Sequence, residues 1–169
     1  MNLFEFTPKK NVSRLGLITG ILIIGAAVLM LITVLFGSMS YRWVLQLISI
    51  GMLTAGIFVT SRFIMKSYVY AVVQEEDGND LTVTEIQGRH TITVCRIGMS
   101  SITEAVIVSK SDKEKEAALK QRIRDKKCKK FNYCADLLED KYICLLAEEC
   151  GEPLAIKLSW DESVEKLFK

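Results

Sequence analysis

The chain has 169 residues, five cysteines, one histidine and a formal net charge of +2. An odd cysteine count with no C-x-x-C spacing points to neither a disulfide framework nor a zinc ribbon, and suits a reducing compartment. The small net charge conceals strongly segregated blocks, so the partners are argued from where the charges fall.

The first 14 residues carry Lys9, Lys10 and Arg14 against Glu5. Two apolar runs follow, Leu15 to Phe36 (22 residues) and Val44 to Thr60 (17 residues, extended by Trp43 and Ser61), and neither holds an Asp, Glu, Lys or Arg. About 20 helical residues cross a ~30 Å hydrocarbon core. The runs therefore predict a transmembrane helical hairpin, with spans at about 15–36 and 43–62. The expected organisation is a basic tail (1–14), a membrane part (15–66) and one water-facing domain (67–169).

The connection Gly37 to Trp43 has one basic residue, Arg42, whereas the tail has three, and Arg62 and Lys66 closely follow the second run. The positive-inside bias puts both termini in the cytoplasm, with Tyr41 and Trp43 at the outer headgroup level of the plasma membrane. A cleaved signal peptide is the rival reading. An h-region of about 7–15 residues is shorter than the first run, however, and no A-x-A-like site precedes Tyr41.

Gly16 and Gly20 stand four apart in the first run, as do Gly51 and Ala55 in the second. Small residues at that spacing let helix backbones approach closely, either within the hairpin or against a second copy or a larger membrane complex. Ser49 and Thr54 can bond back to their own helix. No intramembrane charge marks an ion pathway.

Beyond Lys66 the period changes to two. Tyr68–Gln74, Leu81–Ile86, Thr91–Ile97 and Ile102–Val108 read as strands, the second and third joined by a turn at Gly88. Lys110 to Lys130 then carries ten Lys or Arg against Asp112, Glu114, Glu116 and Asp125, a local balance of +6. Ser111 and Glu114 have capping-box spacing, and Lys113 to Lys127 is rich in helix formers. Its thin apolar content (Ala117, Ala118, Leu119, Ile123) predicts a helix that is mostly solvated or laid along a charged surface. Three more strand segments follow: one with Phe131, Tyr133, Ala135 and Leu137 on a face, Tyr142–Ala147, and one with Leu154, Ile156 and Leu158 on a face. A second capping-box spacing, Ser159 to Glu162, precedes a short helix with Trp160, Val164, Leu167 and Phe168 on one side.

Seven strands, a polar helical insert and a terminal amphipathic helix form an order that resembles the pleckstrin-homology (PH) superfold. More narrowly, it resembles bacterial PH-like domains behind a two-helix membrane anchor in small membrane proteins. The likeness covers roughly Arg62 to Lys169 and rests on element order, the strand Tyr68–Gln74, the hairpin at Gly88 and the ending Trp160 to Phe168. It implies a partly open barrel of about seven antiparallel strands closed by a C-terminal helix. The Lys110–Lys130 insert departs from the usual pattern.

Catalytic signatures are missing from the sequence. His90 lies beside Gly88 in a turn, Glu75-Glu76-Asp77 and Glu148-Glu149 lie in turns, and no phosphate-loop, dinucleotide, zincin or nucleophile-elbow motif occurs. The expectation is a non-enzymatic protein without a metal or other cofactor. The residues with a physical consequence are Lys120, Arg122, Arg124, Lys126, Lys127, Lys129 and Lys130. Near anionic headgroups each contributes ~1 kcal/mol, so they suit the inner leaflet or an acidic protein partner. Acidic flanks and the lack of interleaved aromatics set nucleic acid below these. The alternative function is an accessory or regulatory subunit of a larger membrane complex.

Overall fold

A computed structural model of the chain describes residues 2–10, 12–36, 41–75, 78–137 and 139–168. It divides into two compact units, residues 11–66 and residues 1–10 with 67–169.

The first unit is a pair of helices, α1 (Val12–Leu35) and α2 (Arg42–Val59), the second prolonged by a π turn to Ile64. Each is long and apolar enough to cross a membrane, with mean hydropathies of 2.7 and 1.8. Only 17% of each apolar window is buried. A core helix of a water-soluble protein would bury most of that surface. Ser49 Oγ donates to the Ala26 carbonyl at 2.9 Å, joining the helices at two fully buried residues.

The helices meet at other small residues than the spacing suggested. A Cβ at Gly25 would stand 2.6 Å from Met52 Cε, and one at Gly56 would stand 3.4 Å from Ile23 Cγ1. Gly16, Gly20 and Gly51 have nothing within 4 Å of such a Cβ, and Ala55 is exposed. The reason is angular. At about 100° per residue, Gly25 lies half a turn around α1 from Gly16, and Gly56 and Ser49 lie well over a third of a turn around α2 from Gly51. The loop residues 37–40, Ser38 among them, lie outside the described residues.

The second unit is mainly β. Part of the expected basic tail is a strand: Asn2–Phe6 (β1) pairs antiparallel with Lys66–Glu75 (β2), Phe4 opposite Val72 and Phe6 opposite Tyr70. Phe4 and Phe6 alternate and pack against the core, which a run of five residues is too short to advertise. Gly78–Gln87 (β3) and His90–Gly98 (β4) complete a sheet of order β1-β2-β3-β4. Ile102–Ser109 (β5), Lys129–Asn132 (β6), Lys141–Glu149 (β7) and Glu152–Ser159 (β8) form the other, of order β5-β7-β8-β6. Among the described residues, seven strands thus follow the helices and one precedes them.

They are not all antiparallel, because β6 runs parallel to β8. A helix, α3 (Lys113–Asp125), links β5 at one edge of the sheet to β6 at the other, so these two strands run the same way. The two sheets remain separate and do not close into a barrel. Their core holds Tyr68, Tyr70, Leu81, Val83 and Ile97 from one sheet and Ile143, Leu145, Ile156 and Leu158 from the other. Val164 of the terminal helix α4 (Glu162–Lys166) is buried in it, with Trp160, Leu167 and Phe168 packed alongside.

Two further expectations change. Both helices are capped by the aspartate beyond the serine: Asp112 accepts from Lys115 N, and Asp161 accepts from Ser163 N at 2.9 Å. The strand expected through Leu137 stops at Asn132. Beyond it, side chains take over the backbone donors: Cys134 N donates to Asn132 Oδ1, Ala135 N to Ser159 Oγ and Asp136 N to Glu139 Oε1. A segment supplied in this way no longer needs a ladder partner.

Candidate functional site: the basic helix and the cleft beside it

α3 is amphipathic through two residues. Leu119 and Ile123, four apart, are its buried side chains and pack on Val108, Tyr142, Cys144, Leu146 and Ala155 of the outer face of the second sheet. Strand alternation makes that face: Tyr142, Cys144 and Leu146 point to α3, while Ile143 and Leu145 point to the other sheet. The helix is therefore docked, not merely solvated. Glu114 and Glu116 lie in its first turn and Arg122 and Arg124 in its last, each favourable to the helix dipole.

Its C-terminus is a Schellman motif, with Cys128 N donating to the Ile123 carbonyl and Lys127 N to the Arg124 carbonyl, both at 3.0 Å. Lys127 fills the left-handed position (φ 51°) at which glycine is usual. Lys127→Gly should accordingly stabilise the domain by about 1 kcal/mol, measured by denaturant unfolding. Unchanged stability would mean the turn relaxes around lysine at no cost.

The structure divides the seven predicted contact residues. Arg122 is held by both carboxylate oxygens of Glu104 at 3.1 Å, and Lys129 is paired with Glu152. Lys120 pairs with Glu116 at 2.7 Å, an interaction that holds the Glu116 carboxyl below its ordinary range, with Lys157 adding to it. Among the described residues Arg124, Lys126, Lys127 and Lys130 form no ion pair.

Lys120, Arg124 and Lys130 border a cleft of roughly 360 Å³ between α3 and strands β6–β8, floored by Leu119, Ile123, Tyr142, Cys144 and Ala155. Lys126 faces a different hollow, shared with Cys128, Glu148 and Pro153. The sequence reading missed Lys157, which also lines the cleft and sits 3.5 Å from the centre of the Tyr142 ring. The signal for it was alternation along β8, where Ala155 and Lys157 share the face opposite Leu154, Ile156 and Leu158. Burial, together with Glu116, pushes the Tyr142 hydroxyl up to about 12, so it stays neutral at physiological pH.

Elsewhere, Cys128, Cys134 and Cys144 are buried free thiols, and burial pushes Cys144 up to about 11. They act as small apolar side chains. His90 is exposed at the start of β4, and no group of three His, Cys, Asp or Glu fit to hold a metal is found among the described residues. Comparison with known protein families, with curated proteins and with solved structures finds no match for the chain.

Proposed function

We propose that this chain is a non-enzymatic, multi-pass protein of the plasma membrane whose PH-like β unit presents the basic α3–β6 face to anionic lipid at the inner leaflet. The observation that carries this reading is the set of cations from α3 to β6 that form no ion pair among the described residues, Arg124, Lys126, Lys127 and Lys130, on a chain with two helices of membrane-spanning length. The PH-like element is supported by two facing sheets, a shared core and a terminal helix packed into it. The parallel β6 and the open edge between β4 and β6 set it apart from the usual pattern.

Pairing of β1 with β2 bears on the membrane part. A strand before α1 and a strand after α2 are hydrogen-bonded neighbours, so a chain that crosses a bilayer must return to the side it left. That is an uncleaved hairpin. Cleavage after the first run would also discard β1. With both flanks cytoplasmic, an impermeant maleimide on intact cells should label Ser38→Cys and not the native chain, whose Cys150 is exposed. Equal labelling of the two would reverse the orientation.

The lipid reading is tested with the full chain in neutral nanodiscs, floated with vesicles. Binding should require anionic lipid and fall with salt, because exposed charges are screened over ~8–10 Å near physiological ionic strength. Replacing Arg124, Lys126, Lys127 and Lys130 by Gln should abolish most of it, at ~1 kcal/mol per charge. The Arg122→Gln, Lys129→Gln pair should matter less, since these cations already have carboxylate partners. Equal flotation with neutral vesicles would overturn the reading, and capture by an acidic protein instead would reassign the face.

A second reading is favoured by one observation. Gly16, Gly20, Gly51 and Ala55 are not consumed by the packing of α1 on α2, which leaves a small-residue surface for another membrane helix. The chain would then be an accessory subunit of a larger membrane complex or a homo-oligomer. Stoichiometric co-purification in mild detergent, lost on Gly51→Leu, would establish it.

A further inference from the structure

We propose that the cleft between α3 and strands β6–β8 binds the head and first methylenes of a single-chain phosphate monoester. The inference deepens the anion-binding reading above and rests on it. Four cations from three elements border the cleft: Lys120 and Arg124 from α3, Lys130 from β6 and Lys157 from β8. None of its lining residues is acidic. Glu116 at the first turn of α3 ion-pairs Lys120, and Lys157 helps hold its carboxyl low. Arg124 and Lys130 have no such partner among the described residues. Like charges gathered against low-dielectric walls raise the local concentration of an anion.

The number of charges chooses the anion. A phosphate monoester carries about −1.5 to −2 at pH 7 and offers three strong acceptor oxygens, one for each of Arg124, Lys130 and Lys157. A carboxylate would leave much of that charge unpaired.

The floor argues for more than a free ion. Leu119, Ile123, Cys144 and Ala155 are apolar and buried beneath the charges, and Phe131 stands exposed at the rim. Inorganic phosphate would leave the exposed Phe131 ring against water. A volume of roughly 360 Å³ is near the lower end of ligand pockets, enough for a head and a short length of chain. Arg124 supplies two parallel donors to phosphate oxygens, and the lysines act as point charges.

The test is protection of lysines from acetylation, read by mass spectrometry on the full chain in neutral nanodiscs. Octyl phosphate should shield Lys130 and Lys157 while leaving Lys113 and Lys126 reactive. Inorganic phosphate should require a much higher concentration, and octyl glucoside should shield none. Lys157→Gln should raise the octyl phosphate concentration for half-protection of Lys130 by about tenfold, the scale of one lost charge-assisted hydrogen bond. Ala155→Leu fills the floor and should weaken octyl phosphate without changing inorganic phosphate. If that variant misfolds, the apolar contribution is read from octyl against inorganic phosphate on the native chain, and Arg124→Gln, on the exposed side of α3, repeats the tenfold charge test of Lys157→Gln.

Equal potency of inorganic and octyl phosphate would overturn the proposal, as would protection by octyl glucoside. Uniform protection of all lysines would also overturn it while leaving the charged-surface reading standing. Protection by nanodiscs containing lysophosphatidate, which has one chain, assigns the monoester to the membrane, and protection by added octyl phosphate alone assigns it to a soluble ligand. Both outcomes support the site.

Discussion

Deleting Asp161–Lys169 should abolish cooperative unfolding of the β unit. The helix it removes, α4, spans five residues and has no stability of its own. It is held by Val164, 1% exposed within the core, by Leu167 and Phe168 packed beside it, and by Trp160 Nε1 donating to Glu165 Oε2 at 2.9 Å. Fully burying one such side chain contributes ~1.5–3 kcal/mol, against about 5–15 kcal/mol for a whole domain. Loss of the buried Val164 and the partly buried Leu167 and Phe168, with water admitted between the sheets, removes a large share of that margin. Hydrogen exchange on the nanodisc-held chain provides the readout. Amides of β7 and β8 should lose protection throughout the deletion variant, and retained protection there would mean that α4 only caps a sandwich stable without it.

A pH-dependent stability centred on Glu139 is the second expected effect. Ser159 joins three segments: its Oγ accepts from Ala135 N at 2.9 Å and donates to Glu139 Oε1, and its backbone N donates to Tyr70 Oη at 3.1 Å. Tyr70 Oη in turn donates to the Tyr133 carbonyl at 2.8 Å. Glu139 Oε2 is buried without a hydrogen-bond partner among the described residues, and burial holds the carboxyl above its ordinary value of 4.5. The folded protein therefore keeps this proton more tightly than the unfolded chain does. The stability contributed is complete below about 4.5 and is lost as pH rises through the raised folded value.

Glu139→Gln retains the acceptor and removes the titration. Its stability curve should run flatter than the native one above pH 4.5, with the gap in its favour widening until the pH passes the raised folded value and constant beyond it. Parallel curves would show that Glu139 ionises freely in the fold. Ser159→Ala orphans the buried Ala135 donor, at about 1–3 kcal/mol, while Glu139 Oε1 keeps the Asp136 N donor.

Much of this was legible from local pattern. Two uncharged runs of membrane length became the two long helices, and strand texture after Lys66 located six of the later strands and the last two residues, Phe131 and Asn132, of β6. The terminal helix was readable because Trp160, Val164, Leu167 and Phe168 could be buried only together. Where side chains compete with the ladder, the same reasoning failed. Ala135 and Leu137 continue the alternation of Phe131 and Tyr133, yet Asn132, Ser159 and Glu139 satisfy the backbone there and end the strand.

The candidate site divides along the same line. Composition alone determined that Lys110–Lys130 is a basic block, because charge is counted residue by residue. Only the tertiary structure decided which of its cations are free. Glu104 lies 18 residues from Arg122 and Glu152 lies 23 from Lys129, and neither separation is visible as a pattern in the chain. The recruitment of Lys157, the parallel pairing of β6 with β8 and the joining of β1 to β2 were decided in the same way. Period specifies which face of an element is buried. Which element covers that face depends on contacts between residues far apart in sequence, and those form only when the sheets and helices assemble.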